Sequence, residues 1–334
     1  MAESAVDALN ATSSKLAPIP MKYRDPTGQF PFGWYCVADS NEITSETLKP
    51  VSYLNLQLIV YRDADGVAHV ADAYCPHLGA HLASHDGRIE NGKIVCPFHK
   101  WQFDGVTGKC THIPYSKSIP PQAKLKTYET REVSGMILMW WHPLDAAPSF
   151  EPYHGRIQNP KDWVQVGRLV LEGRVPFRDL KENLFDTAHI HTLHNSHGLP
   201  AISKLTYPDY GLTIDYALDD VPEDFPLTSI QMNYTGITMN NQHTVGEGFE
   251  VVSNSSATPI DDERMELVVR FHLRDTGSAE TNMQIGKAFT ERTMMEIKQD
   301  FAVLDYKKHI ERPLLCAGDG PIMKYREYAA RFFV

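Results

Sequence analysis

No apolar run in the 334 residues approaches the ~18–20 needed to cross a bilayer. The longest, Met136-Ile137-Leu138-Met139-Trp140-Trp141, has the length and composition of a buried strand. No dense basic stretch offsets a formal net charge of −10, which argues against nucleic acid or an anionic membrane surface as the main partner. The start of the chain lacks the basic-then-apolar order of a signal peptide, so a cytoplasmic location is expected. Residues 1–22 are small, polar and proline-containing, which reads as a flexible lead-in. Cysteines are few: of five, Cys36, Cys110 and Cys316 show no framework spacing, as suits a reducing compartment. Internal repeats, low-complexity tracts and a G-x-G-x-x-G dinucleotide fingerprint are all missing.

The length allows two domains, each with its own core. From about Tyr23 to Ala147 the chain reads as β. Leu58–Tyr61, Val67–Val70 and Met136–Trp141 are short, rich in branched and aromatic residues, and bounded by Asp, Gly and Pro. A Pro- and Gly-containing link follows over 148–155. Beyond it, Val166–Leu171 reads as a strand. Residues 178–192 read as a helix, with Leu180, Leu184 and Ala188 on a four-residue period. Residues 227–290 alternate as strands, Leu267, Val269, Phe271 and Leu273 facing opposite to Glu266, Arg270 and His272. From about Thr290 to His309 a helical period returns through Met294, Ile297, Phe301 and Leu304. The expectation is an all-β domain followed by an α+β domain on an antiparallel sheet.

Two half-motifs carry the first piece of chemistry: Cys75-Pro76-His77 and, eighteen residues on, Cys96-Pro97-Phe98-His99. C-x-H…C-x-x-H suits a [2Fe–2S] centre in which two cysteines hold one iron and two histidines the other. Zinc also takes Cys₂His₂, but more often from C-x₂₋₄-C and H-x₃₋₅-H pairs. Asn91-Gly92, between Arg88-Ile89 and Lys93-Ile94-Val95, signals a hairpin joining the two loops.

A second cluster lies in Glu182–His194, which contains N-x-x-D-x-x-H-x-x-x-x-H. Two neutral histidines and one carboxylate on one face of Fe(II) leave positions open for O₂ and substrate. His189, His191, His194 and His197 all compete for the histidine places. Residues five apart on an ideal helix point about 140° away from each other, so His189 with His194 requires a bend or widened turn. Geometry alone does not select that pair over His191 with His194. The carboxylate must come from a distance, and Glu296, Asp300 and Asp305 on the C-terminal helical segment are candidates.

The two loops, written out as Cys75-Pro76-His77-Leu78-Gly79-Ala80 and Cys96-Pro97-Phe98-His99-Lys100-Trp101-Gln102-Phe103-Asp104 with Gly108 beyond, resemble those of the Rieske non-haem iron oxygenases, oxygenase (alpha) component. Glycine is common in the family where this chain has Lys100. The resemblance covers about residues 25–334. It implies a Rieske domain over 23–150 and a catalytic domain over 151–334, its antiparallel sheet flanked by helices (helix-grip, START-like). It implies that Cys75, His77, Cys96 and His99 bind the cluster, and that His189, His194 and Asp300 bind one Fe(II). Asp186 would then bridge His99 of one chain to His189 or His194 of the next. Asn183, one turn earlier, would support the ligands from behind. Head-to-tail rings, commonly trimers, follow from such a bridge.

The tail, Arg312-Pro313-Leu314-Leu315-Cys316-Ala317-Gly318-Asp319-Gly320-Pro321-Ile322 with Lys324-Tyr325-Arg326 and Arg331-Phe332-Phe333, resembles the 3-ketosteroid 9α-hydroxylase and cholesterol 7-desaturase branch. That implies a monooxygenase acting on a rigid multi-ring lipid such as a steroid, with Met232, Met239 and Met283 suited to an adaptable pocket. Electrons would come from NAD(P)H through a separate reductase, with or without a ferredoxin. The alternatives are aromatic-ring hydroxylation or demethylation, sterol desaturation or demethylation, and a Rieske electron carrier that would not need the second domain.

Overall fold

The computed structural model describes residues 19–20, 28–153, 155–157, 159–195, 202–218, 227–316 and 318–334. The lead-in over 1–22, apart from Ile19 and Pro20, and His197 lie outside the described residues. Two compact units form: Phe32–Pro152, and Tyr153–Val334 together with the described residues before Phe32.

The first unit is built from β1 (Gly33–Asp39), β2 (Leu48–Tyr53), β3 (Leu56–Arg62), β4 (Ala68–Asp72), β5 (Arg88–Glu90), β6 (Lys93–Val95), β7 (Gln102–Asp104), β8 (Cys110–His112), β9 (Thr127–Tyr128), β10 (Thr130–Val133) and β11 (Met136–Trp141). They pair as three antiparallel sheets, ordered β1-β11-β10, β2-β3-β4-β9 and β5-β6-β7-β8. The apolar run forms β11, central in its sheet and buried at every position except Trp141. Each such buried side chain contributes about 1.5–3 kcal/mol. The Asn91-Gly92 hairpin forms between β5 and β6. Both residues take positive φ, 51° and 71°, as a type I′ turn requires, and Ile89 then faces Ile94.

The second unit follows as β12 (Trp163–Gly173), α1 (Phe177–Asn183), α2 (Thr187–Thr192), β13 (Ile202–Thr206), β14 (Gly211–Tyr216), β15 (Leu227–Thr235), β16 (Met239–Gly246), β17 (Phe249–Pro259), β18 (Met265–Arg274), α3 (Ala279–Leu304) and α4 (Ile322–Ala329). One seven-stranded antiparallel sheet runs β12-β18-β17-β16-β15-β14-β13. Helix α3 lies along β12 and β18. It comes close because a Cβ at Gly286 would meet Val166 at 2.5 Å and one at Gly173 would meet Phe301 at 2.6 Å. None of the described helices is long and apolar enough to cross a membrane.

Three expectations needed correction. The helix over 178–192 is two short helices, broken at Leu184–Asp186, where Asp186 caps the second by accepting from His189 N. The strand pattern does not run to 290: α3 begins at Ala279, with Ser278 accepting from Thr281 N. Its first turns are polar and mostly exposed, so they carry no apolar period to read. Met283 therefore sits on a helix and is 67% exposed, and Met239 points to the face of the sheet opposite Met232.

Candidate metal centres

The two Cys/His loops are near copies of each other. Cys75 N donates to Ala80 O and Cys96 N to Trp101 O, both at 2.9 Å, while Gly79 N returns to Cys75 O and Lys100 N to Cys96 O. Both cysteines are buried and both histidines half-buried, so sulfur faces the core and imidazole faces outward. The His77 and His99 rings lie 4.8 Å apart, and Trp101 stacks on His77 at 4.4 Å. Hydrogen bonding between the two sulfurs pushes Cys75 up and Cys96 down, so Cys96 carries the negative charge of the pair while Cys75 donates to it. Buried thiolate character with two outward imidazoles fits a [2Fe–2S] cluster held through sulfur on the inner iron and nitrogen on the outer.

Lys100 occupies in the second loop the place of Gly79 in the first, and both have positive φ, 59° and 73°. Glycine is suited there because a Cβ strains the left-handed region by about 1 kcal/mol. The Lys100 ammonium offsets part of this by bonding Pro97 O at 2.9 Å and pairing with Asp86. That ion pair is exposed and contributes little. Lys100→Gly should therefore keep the cluster and raise the domain's stability by up to about 1 kcal/mol in denaturant titration. A loss of stability would mean that the Lys100–Asp86 pair outweighs the strain.

In the second unit, His189 ends up within α2 and His194 just beyond it. The break after Thr192 supplies the bend that the five-residue spacing demands. Asp300, on α3, completes the group: one donor atom from each of the three lies within 4.8 Å of the others. Asp300 Oδ1 is buried with no hydrogen-bond donor among the described residues, 3.1 Å from His194 Nε2 and 3.6 Å from His189 Nε2. His189 Nδ1 bonds the main-chain carbonyl of Asp186, and His194 Nδ1 lies 2.8 Å from Gln299 Oε1. Each Nδ1–H is thus held by an acceptor, which leaves both Nε2 lone pairs facing the carboxylate. Burial disfavours a charged His194, yet the Asp300 carboxylate 3.1 Å from its Nε2 and Gln299 at its Nδ1 outweigh this and raise its pKa. A site that stabilises a proton between two imidazoles and a carboxylate is chemically suited to a divalent cation.

Asp305 caps the C-terminus of α3 and Glu296 pairs with Arg292, so neither joins the group; His191 does not join it either. Asn183 Nδ2 lies 3.1 Å from His189 Nε2. The Asp186 carboxylate is engaged with its own helix, accepting from His189 N at 3.3 Å. Gln299 was not among the residues picked out from sequence. It is one position before Asp300, but its role depends on a contact 105 residues away.

The C-terminal segment holds this site from outside. Arg326 grips Glu182 of α1 with two N–H donors, Lys307 pairs with Asp179 and Glu182, and Tyr325 stacks on Phe185 at 4.5 Å. Gly320 lies against the break between α1 and α2: a Cβ there would meet Phe185 O at 1.7 Å. Gly320→Ala must push that backbone away, with a destabilisation of about 1–3 kcal/mol. The shift should loosen the neighbouring histidine and cut turnover about 100-fold while the visible spectrum of the cluster stays unchanged. Gly318→Ala, where a Cβ meets only Cys316 Sγ at 4.0 Å, should behave as the wild type. Equal stability and turnover in both variants would remove Gly320 as a clamp.

A family model of the Rieske [2Fe-2S] domain matches residues 33–129, and that of the 3-ketosteroid 9α-hydroxylase C-terminal domain matches 139–333. Cholesterol 7-desaturase of Ciona intestinalis is 30% identical over 91% of this chain and 69% of its own. The 3-ketosteroid-9-alpha-monooxygenase oxygenase component of Rhodococcus rhodochrous is 26% identical over 92% and 83%. Among solved structures, dicamba monooxygenase bound to dicamba superposes with a TM-score of 0.69 at 17% identity, covering 95% of this chain and 98% of that one. Pseudomonas putida NdmA with caffeine gives 0.73 at 18%, covering 89% of each. Those likenesses attest the fold, an antiparallel Rieske domain plus a helix-flanked antiparallel sheet, and the matches in sequence attest the lineage. The chain belongs to the Rieske oxygenases with a 3-ketosteroid 9α-hydroxylase-type C-terminal domain, a family of oxidoreductases.

Proposed function

We propose that the chain is the terminal oxygenase component of a multi-component, cytoplasmic system that hydroxylates a hydrophobic, polycyclic, steroid-like substrate. Cys75, His77, Cys96 and His99 hold a [2Fe–2S] cluster, and His189, His194 and Asp300 hold one Fe(II). When bound, these groups supply one-electron transfer and O₂ activation. The observation that carries the reading is the gathering of two imidazole nitrogens and a carboxylate within 4.8 Å, from two separate helical segments. Asp300 provides the negative charge a divalent ion needs. The Asp186 carbonyl and Gln299 keep both rings in the Nε2-ligating tautomer. Asn183 stands beside the iron site, its Nδ2 3.1 Å from His189 Nε2, the nitrogen that the ring yields to the metal. Asp186 conducts electrons between the cluster of one subunit and the iron site of the next in a homotrimer. NAD(P)H is the electron source, through a separate reductase with or without a ferredoxin.

A steroid-like substrate is supported by the relatives named for 3-ketosteroids and cholesterol. Of the three methionines expected at the pocket, Met232 alone shares the helix-facing side of the sheet with Tyr234. The cholesterol 7-desaturase relatives also favour a second reading, desaturation of a sterol. One experiment separates these readings: the purified protein with a surrogate reductase, offered steroids, sterols and small aromatics, with products read by mass spectrometry. Hydroxylated steroid is the expected product, and about three irons per chain should accompany activity. Turnover of aromatics alone would overturn the steroid assignment, and about two irons per chain would indicate a carrier.

A further inference from the structure

Helix α1 sets Phe177, Leu180 and Lys181 on one stripe continued by Leu184, the spacing at which a helix buries apolar side chains. Lys181 stands where packing alone would choose a leucine, and it is 1% exposed. Its charged neighbours in the same helix face elsewhere and are paired: Asp179 with Lys307 at 2.9 Å, and Glu182 with Arg326. Among the described residues no carboxylate serves Lys181. Its Nζ donates to the neutral Asn240 Oδ1 at 2.9 Å, an acceptor that also takes the Ser255 hydroxyl at 2.7 Å. Burial pushes the amine down to about 7. Lysine is almost never fully buried unless paired, and an unpaired buried amine opposes folding. Packing therefore does not account for this residue.

Its surroundings do. Asn240 and Ser255 share the helix-facing side of the sheet with Gln242 and Ser253. All four keep partial solvent contact although helices pack on that side. Accessible space thus opens onto a polar strip within an otherwise apolar face that includes Met232, Val251, Phe271 and Leu273. Two residues beyond Lys181, Asn183 touches His189, so one short helix carries both the amine and a support of the metal group.

We propose that Lys181 is the polar anchor of the substrate pocket, a specificity-determining donor to a carbonyl or carboxylate oxygen on an otherwise apolar molecule. The assignment rests on the oxygenase reading above and narrows its substrate class. The amine lies behind Asn240 and Ser255, which border the space; an oxygen that reaches Nζ beside Asn240 is held there and thereby fixes which carbon of the apolar body faces the metal group. Asn240 accepts one N–H of the amine, and leaving the others without an acceptor penalises a bare hydrocarbon, which is how a hydrogen-bonding site discriminates.

The test compares the wild-type full chain with Lys181→Met, reading ligand binding by tryptophan fluorescence. Two apolar frames are used: 5α-androstane against 5α-androstan-3-one and androstane-17β-carboxylic acid, and biphenyl against 4-acetylbiphenyl and biphenyl-4-carboxylic acid. In the frame that fits, the wild type should bind an oxygenated form about 10–100-fold more tightly than the hydrocarbon. Lys181→Met should abolish that preference, by weaker binding of the oxygenated form and tighter binding of the hydrocarbon, and melt about 3 °C higher. The arm that loses more, ketone or carboxylate, identifies the acceptor. An undiminished preference in Lys181→Met, no oxygen preference in either frame, or a lower melting temperature (a mere brace for Asn240) would each overturn the proposal. Binding in the biphenyl frame alone would sink the steroid reading, while the ratio within that frame still decides Lys181.

Discussion

Asp300→Ala will keep the colour of the [2Fe–2S] cluster, lose about one iron per chain and cut turnover by more than about 100-fold. Groups that merely support a metal ligand are worth about 10–100-fold, so removing a ligand must exceed that range. The carboxylate oxygen is buried and, among the described residues, meets two imidazole nitrogens, at 3.1 and 3.6 Å. Without it the cation faces two neutral rings and no compensating charge. The fold should survive, because alanine removes a buried acceptor that lacks a hydrogen-bond donor among the described residues. Gln299→Leu gives an intermediate case: His194 loses the acceptor that fixes its tautomer, and affinity should fall about 10–100-fold. Metal analysis beside the visible spectrum checks all of this. If Asp305→Ala empties the site and Asp300→Ala does not, the ligand is one turn further along α3.

What could be read from the residues was local. The Asn91-Gly92 hairpin was legible because a type I′ turn imposes its own chemistry, and both residues adopt the positive φ it needs. Strand β11 was legible because six apolar residues in a row have few places to go. In β18 the alternation of Leu267, Val269, Phe271 and Leu273 gave the correct inner face, with Phe271 approaching Phe289 of α3 at 6.4 Å. The same pattern misleads on the other side. Arg270 is fully buried and His272 nearly so, since a strand's period tells which residues share a face and not what covers it.

What could not be read depends on chain segments meeting from afar. Lys181 looks like a solvated helix residue until Asn240, 59 positions away, appears beside it. Gly320 looks like a helix stop until its missing Cβ is found against Phe185. Two interruptions fall in this segment: the five-residue histidine spacing required a bend between His189 and His194, which the end of α2 at Thr192 supplies, whereas the break at Leu184–Asp186 follows from the cap that Asp186 makes. Metal-ligand spacing was therefore a guide to the bend after Thr192 alone, while the helical period ran unbroken through the Leu184–Asp186 break that the capping chemistry enforces.

Mixed oligomers test the path between the centres. A chain without a cluster (Cys96→Ser) and a chain without an iron site (His194→Ala) should each be inactive alone. If electrons cross from one subunit to the next, a random equal mixture joins an intact cluster to an intact iron site at one interface in four. Activity should then recover to about a quarter of wild type, whatever the size of the ring. Placing Asp186→Asn in one parent sharpens the result. Asparagine is as good an N-cap as aspartate, so α2 should keep its start and the iron its ligands. The charge is removed only from the bridge. On the proposed path Asp186 belongs to the subunit that receives electrons, so the substitution should abolish recovery when carried by the Cys96→Ser chain. Carried by the His194→Ala chain, it should make no difference. Recovery lost equally in both placements would take Asp186 off the path, and verified mixed oligomers with no recovery at all would confine electron transfer to a single chain.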